Sequence, residues 1–109
     1  MSEISIGALS QRFALQAPVR TDDGGGGASV AWSLVAEVWG ALRPVTGGEV
    51  VEADGVRGRL THEIWIRYRG GIEPDMRFVL GPRIFDIRGA IAHGWRHRFI
   101  KCLVEERVP

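Results

Sequence analysis

Turn-forming residues punctuate this chain at short intervals, and that spacing leaves little room for anything but short strands. Pro18, the run Gly24 to Gly27, Pro44, Gly47-Gly48, Gly70-Gly71, Gly81-Pro82 and Gly94 divide the sequence. The segments between them are mostly of strand length, with turn signals about every 8–12 residues, the pattern of a small barrel or sandwich. Within them apolar residues alternate. Over 61–69, Ile64, Ile66 and Tyr68 fall on one side and Trp65, Arg67 and Arg69 on the other. A strand has a side-chain period of two, so such a run has two distinct faces. With 109 residues the chain suffices for one domain, over 1–109, and not two. The expected fold is all-β: a small antiparallel β-barrel or sandwich of about six strands with long loops.

Residues 4–9 suit a brief extended arm or a helical turn. Residues 11–16 alternate and end near Pro18, which has no N–H to give a ladder. Four successive glycines are costly to order, so residues 18–29 read as a flexible protrusion. Residues 30–44 are long enough for a helix, but their β-branched and aromatic content and Gly40 favour a strand. In that strand Trp32, Leu34, Ala36, Val38 and Gly40 would share one face, and Ser33, Val35, Glu37, Trp39 and Ala41 the other. Both faces hold apolar groups, so the strand is expected to be covered on both sides. Residues 46–60 carry four glycines, three acids and two arginines. Their apolar content is thin, which marks a long mobile loop with room for one helical turn over 49–53.

Strand-like runs follow over 61–69, 76–80, 83–91 and 95–105, the second and third joined through Gly81-Pro82. In the third, Ile84, Asp86 and Arg88 oppose Phe85, Ile87 and Gly89. The expected core includes Val38, Ile64, Ile66, Phe78, Ile84 and Ile87.

Composition excludes several functions. The formal net charge is +1, which is not that of a strongly basic nucleic-acid binder. One cysteine, Cys102, permits no internal disulfide and reads as a small buried hydrophobe. No stretch approaches the roughly 20 apolar residues of a membrane helix, and Met1-Ser2-Glu3 opens no secretory leader. No membrane partner is expected. His93 and His97 are spaced like helical metal ligands, but strand and turn surround them and no acidic residue or cysteine clusters there. Pairing Cys102 with either histidine as nucleophile and base lacks a third member and an oxyanion site. The glycine run lacks the lysine and Ser/Thr of a phosphate loop. No enzyme, cofactor or metal is therefore expected. Thirteen of the fourteen Lys+Arg residues are arginine, the side chain that forms forked pairs with carboxylates at interfaces.

Seven pieces of sequence, in order, carry a resemblance. Ile6-Gly7-Ala8-Leu9 leads into Arg12-Phe13; Asp23 precedes glycines; Trp32 precedes Val38-Trp39-Gly40. Gly48-Glu49 precedes Ala53, and Ile66-Arg67-Tyr68 follows. Then come Pro74-x-Met76-Arg77-Phe78 and Arg83-Ile84-Phe85-Asp86-Ile87. Over about residues 6–106 the chain resembles the head–tail joining proteins (head-completion or stopper proteins) of tailed phages, prophages and gene-transfer agents. It has Gly40 where that family usually has alanine, and Phe85 for tyrosine. The resemblance implies a β-barrel that forms a homo-hexameric ring in the particle neck, made in the bacterial cytoplasm and possible as a monomer alone. An adaptor or portal ring would lie above, and a tail terminator or tail tube protein below. Double-stranded DNA would pass through the bore without sequence specificity. The loop over 46–60 would line or gate that channel, through Gly47, Gly48, Glu49, Glu52, Asp54, Arg57 and Arg59.

The residues themselves fit that role. A bore through which DNA slides should not grip it, and the acids and arginines of 46–60 nearly cancel. Asp22, Asp23, Arg67, Arg69, Arg96 and Arg98 are expected to contact neighbouring subunits or rings. The rival reading is an oligonucleotide-binding barrel, in which Trp65 would stack bases beside Arg67 and Arg69.

Overall fold

The computed structural model describes residues 8–22, 24–45, 50–53, 56–94, 96 and 98–107. Eight strands run through them: β1 Gln11–Asp22, β2 Ala28–Pro44, β3 Val50–Ala53, β4 Val56–Arg59, β5 His62–Arg67, β6 Arg77–Leu80, β7 Arg83–His93 and β8 Phe99–Glu106. Six close into an antiparallel barrel in the order β1-β2-β5-β8-β7-β6, and β3 and β4 form a separate two-stranded sheet. The all-β expectation holds, with two strands beyond the six of the barrel.

Alternation explains the core. Phe13 and Leu15 of β1, Ile64 and Ile66 of β5, Phe78 of β6, Phe85 and Ile87 of β7, and Ile100, Cys102 and Val104 of β8 fill the interior. Phe13 meets the rings of Phe78 and Phe85 edge-on, at 5.7 and 6.4 Å. Burying each such apolar side chain contributes about 1.5–3 kcal/mol. Burial also pushes the Cys102 thiol up to about 12, as expected of a small hydrophobe. Of the expected core residues, Ile84 is a correction: Phe85 faces inward, and Ile84, paired with Val79, lies half-buried. Val38 is half-buried against the core.

β2 departs from simple alternation. Leu15 pairs with Ala36 and Gln16 with Leu34, which leaves Val35 without a partner as a β-bulge. A bulge switches the face of every residue beyond it. Trp32 and Leu34 therefore do not share a face with Ala36, Val38 and Gly40. They lie instead with Pro18 and Gln16, their cross-strand partners. Nor is β2 covered on both sides within this chain: Val30, Leu34, Val35 and Trp39 are 43–58% exposed.

Two expected loops are strands. Residues 18–29 belong mostly to a β-hairpin whose reversal spans only 24–27. Gly24 and Gly26 supply the positive φ, 81° and 86°, and the Asp22 carboxylate accepts the Gly24 N–H at 3.0 Å. Pro18 does not end β1, because beyond Gln16 that strand no longer pairs with β6 and its outer edge needs no ladder donor. Residues 50–53 and 56–59 pair as β3 and β4, from Val50↔Arg59 to Ala53↔Val56. That pairing replaces the expected helical turn over 49–53. The run over 61–69 ends as strand at Arg67, and that over 95–105 begins only at Phe99, after Gly94 (φ 89°) and Arg96 (φ 58°) turn the chain.

The connection from β5 to β6, residues 68–76, crosses one mouth of the barrel, because these strands stand three places apart in the order. Ile72 packs on the core from this crossover, and Met76 is buried at its end.

Candidate assembly surfaces

β2 enters the barrel from the β1–β2 hairpin and leaves it at Pro44 toward β3. The two hairpins are thus rooted at opposite ends of one strand. The first, the arm, continues past the barrel as a two-stranded ribbon, and the molecule measures 51 × 29 × 27 Å. On its outer face Arg77 lies 3.9 Å over the Trp32 ring while donating to Gln16 at 2.8 Å. Burial and the nearby Arg107 lower the Arg77 pKa. A groove of about 490 Å³ lies here, lined by Pro18, Arg20 and Trp32 from the arm and Asp75, Asp86 and Arg88 from the barrel. Nearer the barrel, Trp39 is 54% exposed, with Arg12 5.7 Å over its ring and paired to Glu37 at 3.3 Å.

The second hairpin is held at its root by the end of β8. Val45 N–H donates to Thr61 O at 2.9 Å, Glu106 N–H to Thr61 Oγ1 at 2.7 Å, and Arg59 N–H to Glu105 Oε1 at 3.3 Å. Arg88 fixes the Glu105 carboxylate at 3.0 Å, and Arg83 fixes Glu106 through two bonds of 2.8 and 3.0 Å. The Arg83 bond holds the Glu106 carboxyl below its ordinary range. His62 sits in the same corner, 4.0 Å from Glu106 and edge-on to Phe85. Burial lowers its pKa, against the opposing pull of Glu106.

Of the expected channel residues, Glu52 and Arg57 are cross-strand partners by backbone register. Arg59 is exposed at the root of β4. Gly47, Gly48, Glu49 and Asp54, and the Glu52 and Arg57 side chains, lie outside the described residues. Of the expected contacts, Asp22 is exposed at the arm's tip, and Asp23 lies outside the described residues. Arg67 and Arg98 come together, lining a recess of about 190 Å³ with Tyr68 and Phe99. Tyr68 N–H donates to Arg98 O at 2.9 Å. Arg69 follows in the chain and donates to Gly70 O at 3.4 Å. Arg96 is exposed in the turn before β8. The structure does not bring Asp22 to these arginines.

Trp65 does not stack with the solvent side of Arg67 and Arg69. It is 2% exposed, packed with Leu9 and Phe99, met edge-on by His93 at 4.8 Å, and flanked by Arg43 and Lys101. This removes the observation that favoured a base-stacking surface. His97 lies outside the described residues, and among the described residues no group of three or more His, Cys, Asp or Glu is arranged so that it could hold a metal ion. Sequence reasoning missed the exposed Trp39 with Arg12, and the Glu105–Glu106 hold on the second hairpin. Only the Trp39–Gly40 parity pointed outward for the first; nothing local pointed to the second, because its partners come from distant strands.

The chain thus combines a closed six-stranded barrel, exposed charged and aromatic side chains at its rim, and two hairpins that leave opposite ends of β2. The phage head completion protein family model matches residues 4–107, and the chain belongs to that family. It is a structural protein of phage-type particles. A chain in the virion of a native gene transfer agent particle is 27% identical, with a TM-score of 0.67 over 92% of this chain and 96% of that one. The solution structure of protein SF1141 from Shigella flexneri 2a is 25% identical, with a TM-score of 0.69 over 94% of this chain and 96% of that one. No curated protein matches the chain in sequence.

Proposed function

We propose that this chain is a stopper: six copies form a ring between the portal or adaptor and the tail, and the β3–β4 hairpin lines or gates the bore. The observation that carries this reading is the rooting of two hairpins at opposite ends of β2. One subunit can then reach an adjacent ring with its arm while its second hairpin reaches elsewhere. The likeness to a chain of a gene transfer agent virion over nearly the whole length supports the same placement. Glu49, Glu52 and Asp54 against Arg57 and Arg59 make the gating segment nearly neutral, which suits double-stranded DNA that must slide through without sequence-specific grip. Asp22, Asp23 and Arg69, with Arg67, Arg96 and Arg98, belong to the contacts between subunits and with the adaptor, tail terminator or tail tube.

The test is cryo-electron microscopy of particles, together with a chain lacking residues 49–59. A six-fold ring at the neck with residues 46–60 facing the bore is expected. The deletion variant should fold, enter the neck and release packaged DNA. Full DNA-filled heads with that variant in place would remove the gate; a neck without this chain would remove the stopper role.

A further inference from the structure

A closed ring built from one chain needs two different surfaces of that chain to fit each other. β5 and β6 stand three places apart in a six-stranded barrel, so they occupy opposite flanks. The two ends of the 68–76 crossover lie on these flanks at the same mouth: Arg67 stands at the first, and Glu73 and Asp75 at the second, where Asp75 shares a groove with Arg20, Arg88 and Arg107.

On the β5–β8 flank, Arg67 and Arg98 line the recess beneath Tyr68, which is 56% exposed. Neither guanidinium has a carboxylate partner among the described residues. On the β6 flank, Glu73 and Asp75 are exposed and have no cation partner among the described residues. Their mount is rigid: Met76 N–H donates to Glu73 O at 3.0 Å, Glu73 N–H lies 3.2 Å from the Met76 sulfur, and Met76 is buried. Four other carboxylates are matched within the chain, Glu37 by Arg12, Asp86 by Arg107, Glu105 by Arg88 and Glu106 by Arg83, and Glu63 accepts the Trp65 indole N–H. Arg67 with Arg98, and Glu73 with Asp75, thus form two sets of unmatched charge of opposite sign on opposite flanks.

We infer that in the ring the Arg67–Tyr68–Arg98 recess of one copy receives Glu73 and Asp75 of the next. Arginine forks can take carboxylates there two-toothed, and the exposed tyrosine and Trp39 supply the apolar contact that interface centres favour. This inference rests on the ring proposed above, and its partner is a second copy of this chain.

The test is complementation in cells that make particles without their own copy of the chain. Arg67→Glu with Arg98→Glu, and separately Glu73→Arg with Asp75→Arg, should each cut the yield of joined particles about tenfold or more, as expected for close charge pairs at an interface. Thermal melting of each variant should stay near the parent's, since all four side chains are at the surface. A chain carrying all four changes should recover most of the yield. Separately, Asp75→Cys with Arg98→Cys should give an oxidised ladder up to the ring size, with the buried Cys102 taking no part. If a neck ring of this chain is seen but the fourfold variant recovers nothing and no ladder forms, the inference falls and the stopper reading stands. If no such ring is found, both fall.

Discussion

Gly40 sits where β2 passes close over the barrel's contents. A Cβ there would lie 2.9 Å from the Trp65 carbonyl oxygen, 3.0 Å from the Phe13 ring and 3.1 Å from Ile66 Cγ2. The two side chains can yield a little; the β5 backbone cannot. Gly→Ala in an unstrained position gains about 0.4–1 kcal/mol through the unfolded chain, whereas overpacking a core costs about 1–3 kcal/mol. Gly40→Ala should therefore lower the melting temperature by several degrees, at about 4–8 °C per kcal/mol for a domain near this size. Gly70→Ala, with no atom near its Cβ, should leave it unchanged or slightly higher. Equal melting of the two variants would show that the Gly40 approach is not limiting. The resemblance placed glycine where alanine is usual; in this chain Phe13 and Ile66 fill the space that a methyl group would need. At this scale the parity of each strand was legible in the sequence, but the inward side was not always. Ile84 and Phe85 are both apolar, and only the neighbours Phe78 and Phe13 decide for the ring.

Among the elements, the root of the β3–β4 hairpin responds to acid. His62 is held below its ordinary 6.5 by burial. The unfolded chain thus takes up that proton at a higher pH than the folded one, and stability falls as pH drops from about 6.5 through the folded value. Glu106 adds a second loss lower down: its carboxyl, held below 4.5 by Arg83, contributes above that value and stops contributing as pH falls through its folded one. In urea titrations His62→Gln should flatten the decline between about pH 7 and 5.5 and keep the decline below about 4.5. An unchanged upper slope would assign it to another group. This hairpin was legible only as a long connection. Its strands are fixed by cross-strand pairing and by Thr61, Glu105 and Glu106 at the root, so no alternating core face announced them. The arm was hidden for a different reason. Pro18 and four glycines read as breaks, yet the proline lies on an unpaired edge and the glycines confine the break to one reversal.

For the whole molecule, barrel closure does not follow from local pattern, because it depends on the distant pairings β5–β8 and β1–β6. The burial pattern marks the arm as separable from the body. Every fully buried side chain of the main core lies outside residues 19–31, and Pro18 and Trp32 face each other across the ribbon. Joining the next pair, Val19 and Ala31, through Asn-Gly, the sequence best suited to a two-residue hairpin turn, would remove most of the arm and its exposed Val30 without entering the barrel. Such a chain should melt cooperatively within a few degrees of the parent, since exposed ribbon adds little to a domain whose stability comes from core burial. If the arm carries contacts to an adjacent ring, the shortened chain should be absent from particles or present in far lower amount. The chain lacking 49–59 should instead enter particles and fail to keep DNA. Mass spectrometry of purified particles reads the first property and nuclease sensitivity of their DNA the second. Normal incorporation of the armless chain would mean that inter-ring binding resides in the barrel rim, and the arm would then lose its role as the reaching element.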